Sequence, residues 1–295
     1  MPLSAPRDER RVVAISGATG YLGTALVSHF RAAGWEVRPL VRRATDGARP
    51  FRLGGKVEPS LFHDVHALVH AAYDFSLVRV ADIVKVNVEG SERLFESAAL
   101  SGVRRIVHVS SISAFPGCRS RYGRAKLATE RSAQAHGAMV LRPALLWGDP
   151  PGGTFGSMVA RVRGARIVPL IGDGAAVQYL LHRDDLSRVI VEYCGGMLER
   201  TDEPLTIAHP HPWTLRELLV SLVEQGSTTR FVPVPWRLAW GGLRLAEAMG
   251  LRSQFRSDSV VSLVHQNPAP DFTLQSRLRI GCRAYGAAGV PSSQR

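Results

Sequence analysis

Tyr122 and Lys126 are the two residues of this chain whose types and spacing best fit a chemical role. They stand four positions apart in the segment Tyr-Gly-Arg-Ala-Lys, so a helix carries both side chains on one face. A phenol has a pKa of about 10, which is too high for efficient proton exchange at neutral pH. A nearby ammonium stabilises the phenolate, so we expect a lowered pKa and an acid/base role for Tyr122. The alternative is an ordinary surface pair on a helix.

Ser111 is the third candidate for the chemistry. It ends the apolar segment 105–111, which predicts a strand that carries hydroxyl groups at its carboxyl end. Ligands of open parallel sheets bind at that edge. We expect Ser111 to hydrogen-bond the substrate's carbonyl or hydroxyl oxygen while Tyr122 exchanges a proton with that oxygen and a hydride moves to or from a nicotinamide. Ser110 takes this role if the register slips by one residue.

A glycine turn predicts where the cofactor binds. The apolar run 12–15 is followed by Gly17, Gly20 and Gly23, and then by apolar residues at helical spacing. This order of strand, turn and helix directs the positive end of a helix dipole at a pyrophosphate. Gly17 permits the turn, Gly20 lets the phosphates approach, and Gly23 lets helix and strand pack closely. A glycine loop that only joins the strand to the helix is the alternative.

Two arginines indicate which dinucleotide is preferred. Arg42 and Arg43 follow the predicted strand 36–41, where an NAD site usually has an acidic residue for the ribose 2′-hydroxyl. A carboxylate there would repel a 2′-phosphate, whereas a guanidinium offers it a planar fork of donors. We therefore expect NADP, with NAD as second choice. The alternative is that both arginines are solvated loop residues that bind no ligand.

Composition excludes several classes of function. The chain has 295 residues, 45% of them hydrophobic, and a net charge of +12, but its basic residues are spread out and form no tract. We expect no nucleic-acid partner and no metal site. The three cysteines are scattered, which is typical of a reduced cytoplasmic protein. No apolar run approaches the roughly 18 residues of a membrane span.

The pattern of elements predicts an α/β fold, a doubly wound parallel sheet of Rossmann type with a smaller C-terminal substrate lobe. We divide the chain into an N-terminal tail (1–10), a dinucleotide-binding core (11–150, completed by about 176–200) and a substrate-binding lobe (151–175 and 201–295). Residues 231–252 mix tryptophans, leucines and arginines. We interpret them as a lid or pocket wall with a hinge at Gly241-Gly242 rather than as an interfacial membrane helix, and we expect no membrane contact.

These motifs together resemble the short-chain dehydrogenase/reductase superfamily, and above all its extended branch of NAD(P)-dependent sugar epimerase/dehydratase-like proteins. The resemblance runs from about residue 11 to 225. Besides the segments above, it rests on His70-Ala71-Ala72, on Asn87 to Gly90, on Leu141-Arg142-Pro143 with Gly148, and on His182 to Leu186.

The resemblance implies a role for each matching residue. Tyr122 is then the acid/base, Lys126 lowers its pKa and binds the nicotinamide ribose, and Ser111 polarises the substrate oxygen. Pro143 lies against the nicotinamide amide. The residues that bracket the pyrophosphate are Gly17, Thr19, Gly20, Tyr21, Leu22 and Gly23, and those that line the path of the cofactor are Ala71 and Ala72.

The chain departs from the family pattern at the substrate side. Leu145 stands where sugar-nucleotide epimerases carry an Asn that contacts the substrate diphosphate, and Ile112-Ser113 stands where 4,6-dehydratases carry Asp-Glu. These changes argue against a dehydratase and weaken the case for a nucleotide sugar. We expect an NADP(H)-dependent oxidoreductase acting on a small molecule, with a nucleotide-sugar 4-ketoreductase or epimerase among the candidates and a homodimer as an open option. A non-catalytic NADP(H)-binding subunit or assembly factor of a larger complex is the alternative.

Overall fold

The computed structural model describes residues 11–43, 47–224, 226, 228–251 and 255–286. The tail expected at residues 1–10 lies outside the described residues. The strands are β1 (Val12–Ser16), β2 (Glu36–Val41), β3 (Arg49–Pro50), β4 (Ala67–His70), β5 (Arg105–Val109), β6 (Met139–Pro143), β7 (Leu145–Trp147), β8 (Ile167–Ile171), β9 (Val177–Gln178), β10 (Leu180–His182), β11 (Leu205–Ile207), β12 (Trp213–Thr214) and β13 (Arg230–Val234).

The helices alternate with these strands through most of the chain. They are α1 (Tyr21–Ala32), α2 (Val80–Ile83), α3 (Glu89–Leu100), α4 (Arg121–Ala135), α5 (Gly153–Val162), α6 (Arg183–Cys194), α7 (Leu215–Ser221), α8 (Trp236–Ala248), α9 (Ser257–Val264) and α10 (Thr273–Arg277). A single π-helical segment, Val84–Val88, joins α2 to α3.

Seven strands form a parallel sheet in the order β11-β6-β5-β4-β1-β2-β3. From β1 the chain first builds outward through β2 and β3, and then returns to the other side of β1 with β4 and β5. This reversal between β1 and β4 is the switch point of a Rossmann-like sheet, where such folds bind dinucleotides. The expected α/β fold with a parallel sheet is confirmed.

The chain divides into two compact units. The first comprises residues 1–109, 129–140 and 187–204, and the second comprises residues 110–128, 141–186 and 205–295. In the first unit, Val12, Ala14 and Leu68 of the sheet pack with Leu94 and Phe95 of α3. β1 and β4 are buried along their whole length, as is typical of parallel strands that are covered on both faces.

The turn between β1 and α1 depends on two glycines. Gly17 has a φ of 75°, a conformation that favours glycine. A Cβ at Gly17 would also lie 2.8 Å from the backbone nitrogen of Ala72, and one at Gly23 would overlap the carbonyl oxygen of Gly17. Close approach of backbone to backbone therefore requires glycine at both positions.

Two helical segments differ from the pattern in the sequence. Residues 80–100 are helical, but the stretch Val84–Val88 within them is wound as a π-helix. The hinge expected at Gly241-Gly242 is wrong, because α8 runs through both glycines. Each glycine costs a helix up to about 1 kcal/mol relative to alanine, and packing against α9 outweighs that cost here.

We expect Gly23→Ala to lower the free energy of unfolding by at least about 2 kcal/mol, because the added methyl group has no space beside the Gly17 carbonyl. Urea unfolding followed by circular dichroism measures the change. Gly241→Ala is the matched control, since nothing lies within 4 Å of a Cβ there. It should leave stability unchanged or raise it by up to about 1 kcal/mol. Equal effects of the two substitutions would contradict the packing argument.

Candidate active site

The N-terminus of α1 has the features that a pyrophosphate site needs. Gly20 is the N-cap, with extended backbone and no side-chain cap, and the first turn of α1 contains no acidic residue. The first backbone N–H groups of a helix have no partner within the helix, and the helix dipole adds positive potential there. Thr19 and Gly20 are exposed at this turn, whereas Leu22 is buried beneath it. The residues present therefore fit a dinucleotide phosphate.

Ala71 and Ala72 lie beside this turn. They directly follow β4, and their backbone is the part of the protein that a Cβ at Gly17 would meet. Since β4 pairs with β1 through Ser16 and His70, the two strand ends are held in register. The structure thus brings together the two cofactor segments that were predicted separately from the sequence.

A buried hydrogen-bond chain under these segments was missed in the sequence. The two ring nitrogens of His70 lie 2.6 Å from Ser16 Oγ and 2.7 Å from Ser91 Oγ, and all three residues are buried. Ser91 in turn donates to the carbonyl oxygen of Asn87. A buried polar side chain is stable only when its hydrogen-bonding groups are satisfied. His70 therefore has a structural role, joining the end of β1 to α3.

Asn87 fixes the loop that follows Ala72. Its side-chain oxygen accepts from the backbone N–H of Asp74 at 2.7 Å, and its amide donates to the carbonyl oxygen of the same residue at 3.3 Å. Asn87 lies in the π-helical segment and is 2% exposed. π-helical turns are frequent at functional sites, where they redirect a side chain.

Arg42 and Arg43 both follow the end of β2 and are exposed. Their positions fit the recognition of a phosphate that approaches from solvent.

In the second unit, Tyr122 makes a side-chain hydrogen bond with Ser111. The loop that carries Ser111 is tied to β6, because the backbone N–H of Ile112 donates to the carbonyl oxygen of Pro143 at 3.0 Å. Ser110, the alternative in the sequence, is buried. Three of the predicted site residues, Ser111, Tyr122 and Pro143, are therefore close neighbours.

Burial determines the acidity of Tyr122. The residue as a whole is only partly buried, but withdrawal of its phenol from water raises the pKa to about 12, and the hydrogen bond with Ser111 opposes that shift. Lys126, one turn further along α4, is itself 4% exposed. The sequence led us to expect a lowered pKa for Tyr122, and the structure instead gives a raised one. At neutral pH Tyr122 is a neutral phenol that can donate a proton.

The start of α4 is capped by two side chains. Ser120 Oγ accepts from the backbone N–H of Gly123 at 3.0 Å. The two carboxylate oxygens of Asp258 accept from the backbone N–H groups of Arg121 and Tyr122, at 2.8 and 3.0 Å. A carboxylate at a helix N-terminus makes charge-assisted hydrogen bonds and interacts favourably with the helix dipole. Asp258 is thus a positioning residue for the backbone of Tyr122, and the sequence contains no local signal for it.

Helix α9, which carries Asp258, is itself held on both sides. Ser262 donates to Ser113 Oγ, in the loop after Ser111, at 3.2 Å. At its N-terminus, the backbone N–H and the hydroxyl of Ser257 both donate to the carboxylate of Glu247 in α8, each at 2.9 Å. Through these contacts α8, α9 and α4 form one hydrogen-bonded series.

Comparisons with known proteins agree with this geometry. Residues 13–195 match the model of the NAD dependent epimerase/dehydratase family. The ceramide reductase of Caulobacter vibrioides is 30% identical over 66% of this chain and 66% of its own length. A 4-hydroxy-2-methyl-3-oxo-4-farnesyl-3,4-dihydroquinoline-1-oxide ketoreductase of Stigmatella aurantiaca is 25% identical over 80% of this chain and 79% of its own.

A solved structure extends the similarity to most of the chain. The NAD dependent NDP-hexosamine 5,6-dehydratase TunA superposes with a TM-score of 0.71 at 17% sequence identity. The match covers 94% of this chain and 93% of that one. At this level of identity the likeness shows a shared fold.

We expect Asp258→Asn to lower the free energy of unfolding by about 1–2 kcal/mol, because the helix loses a charge-assisted cap at two N–H groups. Urea unfolding measures this. Asp202→Asn is the matched control, since Asp202 is 90% exposed and pairs only at the surface with Arg200. Its effect should stay below about 0.5 kcal/mol. If Asp258→Asn were as stable as the wild type, the cap would have no energetic role.

Proposed function

Because the chain belongs to the NAD dependent epimerase/dehydratase family, we propose that it is an NADP(H)-dependent ketoreductase whose proton donor is Tyr122. The observation that carries this proposal is the hydrogen bond between Tyr122 and Ser111. It places two hydroxyl groups where both can contact one substrate oxygen, as reduction of a carbonyl group requires.

The proposed reaction balances in charge and atoms. A dinucleotide whose pyrophosphate is bound at the glycine turn of residues 17–23 would supply the hydride for the carbonyl carbon. Ser111 donates a hydrogen bond to the carbonyl oxygen, and Tyr122 transfers its phenolic proton to that oxygen as the C=O double bond becomes a C–O single bond. The products would be an alcohol, an oxidised nicotinamide and a phenolate, which regains its proton from solvent.

The protonation state of Tyr122 supports reduction as the first chemical step. With its pKa raised to about 12 by burial, Tyr122 is protonated at neutral pH and ready to act as an acid. An epimerase begins with the opposite step, the removal of a proton from a hydroxyl group, and needs the phenolate first. Protonated Tyr122 is thus the form from which a reduction starts, although burial makes it a weaker acid than a tyrosine in water.

The surroundings of Leu145 support an apolar substrate. Leu145 packs with Phe155, Leu180, Trp147 and Trp213 in an apolar and aromatic cluster of the second unit. The Leu145 side chain itself offers a diphosphate no hydrogen bond. The two relatives described above are named for reactions on a ceramide and on a farnesyl-bearing quinoline oxide. We infer that this chain also acts on a ketone attached to a large apolar group.

A nucleotide-sugar 4-ketoreductase or epimerase is the second candidate. It is favoured by the superposition with TunA, a protein named for an NDP-hexosamine substrate, over 94% of this chain. Cofactor use distinguishes the epimerase from either ketoreductase, because a reductase consumes NADPH in proportion to product and an epimerase returns its cofactor unchanged.

We expect Tyr122→Phe to lower kcat for ketone reduction by about 100-fold or more, because no other acid replaces the phenol. The assay follows NADPH absorbance with a long-chain aliphatic ketone and, in parallel, with UDP-glucose. NADPH binding, measured by tryptophan fluorescence, should stay within about twofold of the wild type. Tyr179→Phe, which removes the hydroxyl of another half-buried tyrosine, is the matched control and should retain activity.

Two results would contradict the ketoreductase. One is an unchanged kcat in Tyr122→Phe. The other is conversion of UDP-glucose by the wild type without net loss of NADPH, which would establish the epimerase instead.

The preference for NADP rests on Arg42 and Arg43. We expect the double variant Arg42→Ser/Arg43→Ser to bind NADPH at least about tenfold more weakly, since it loses charge-assisted hydrogen bonds to the 2′-phosphate. NADH binding should change by less than about twofold. Arg31→Ser/Arg52→Ser removes two exposed positive charges elsewhere in the first unit and controls for net charge. Tighter binding of NADH than of NADPH by the wild type would contradict the proposal.

A further inference from the structure

Helix α8 exposes an apolar stripe to solvent. Leu238, Leu245 and Met249 follow one another at intervals of seven and four residues, so they lie on one face of the helix and its C-cap. Their side chains are 69%, 62% and 62% exposed. Trp240 and Leu251 are exposed nearby. Exposed large apolar side chains that share one face of a helix are candidates for an interaction surface.

The opposite face of α8 is already occupied. Glu247 accepts two hydrogen bonds from Ser257 at the start of α9, and the ring of Trp236 makes an edge contact with the ring of His265 just after α9. Rotating the helix to bury the stripe would break these contacts. The exposed stripe is therefore the free face of a helix whose other face is already packed.

The residues of the stripe do not line the groove beside α8. Its cavity of about 420 Å³ is lined by residues that include Trp236, Trp240 and Val261, and the stripe residues are not among them. If α8 were a lid over this groove, the large aliphatic side chains of the helix would face the cavity. The lid expected from the sequence therefore leaves the stripe unexplained.

The charges on α8 are unequally distributed. Arg237 and Arg244 stand seven residues apart and share one flank of the stripe. The single acidic residue of the helix, Glu247, has a side chain only 10% exposed and lies among Arg244, Arg256 and the N-terminus of α9. The accessible surface of α8 is thus apolar with a cationic edge, which complements an anionic lipid surface and not a neutral one.

We propose that α8 is an interfacial helix that docks this protein onto anionic membranes. The stripe of Leu238, Leu245 and Met249 enters the boundary between head groups and acyl chains, and the flanking arginines contact lipid phosphates. Within the described ranges, no helix has the length and apolarity to span a bilayer, so the helix lies in the membrane surface. The proposal departs from our expectation from the sequence that the protein makes no membrane contact.

The proposal goes beyond the reductase activity and does not depend on it. Vesicle binding needs neither substrate nor turnover, so the ketoreductase and the docking surface can fail separately. If the ketoreductase and the docking surface are both correct, the protein binds its apolar ketone at the membrane in which that ketone is dissolved.

Co-sedimentation of the full chain with vesicles tests the docking surface. The vesicles are phosphatidylcholine alone or phosphatidylcholine with one third phosphatidylglycerol, at 0.1 M and 0.5 M NaCl. We expect binding to the anionic vesicles at low salt, weakened by high salt, and little binding to phosphatidylcholine. Leu238→Glu/Leu245→Glu should bind at least about tenfold more weakly, and Arg237→Gln about fivefold more weakly.

Leu100→Glu/Met197→Glu is the matched control. Both side chains are at least 74% exposed and belong to the first unit. This variant adds the same two negative charges and should bind about as well as the wild type. Circular dichroism and NADPH binding establish that each variant is folded.

Three results would overturn the proposal. They are no binding of the wild type to anionic vesicles, equal loss in the stripe and control variants, and a dimer in solution that Leu238→Glu/Leu245→Glu converts to monomers without any vesicle binding. The last result would assign the stripe to a second copy of the chain.

Discussion

The position of Tyr122 depends on a carboxylate that lies far from it in the sequence. Asp258 is separated from Tyr122 by 136 positions, yet it accepts hydrogen bonds from the first two backbone N–H groups of α4. The first turn of a helix frays unless such groups are satisfied. Tyr122 is the second residue of α4, so a frayed first turn would displace it. The C-terminal part of the chain therefore positions Tyr122 as well as contributing to the second unit.

The first unit is organised by a different constraint, the contact of backbone with backbone. Gly17 and Gly23 are required because the turn after β1 approaches its neighbours more closely than any side chain allows. Beneath that turn, both ring nitrogens of His70 are engaged by serines. A cofactor site built from backbone groups can be rigid only when the side chains behind it are satisfied and packed. The buried chain from Ser16 to Ser91 meets that requirement.

The features that the sequence predicts are those whose cause is local. The glycine turn, the placement of Ser111 just after a strand, and the spacing of Tyr122 and Lys126 each follow from a few neighbouring residues. Asp258 could not be found this way, because nothing near it in the chain indicates a helix cap 136 residues away. The continuous α8 was missed for a related reason. Propensity alone predicts a break at two glycines, and tertiary packing overrides it.

Burial raises the pKa of Tyr122, which makes the transfer of its proton harder. A phenol withdrawn from water is a weaker acid, so burial alone raises its pKa and makes its phenolate costly. Reduction nevertheless starts from the neutral phenol, and the same burial strengthens the hydrogen bond that Ser111 and Tyr122 share in a low-dielectric environment. The phenolate forms only as the substrate oxygen takes up the proton. The raised pKa keeps Tyr122 protonated until that step and makes its proton harder to give up, so hydrogen bonds to the substrate oxygen must offset this cost.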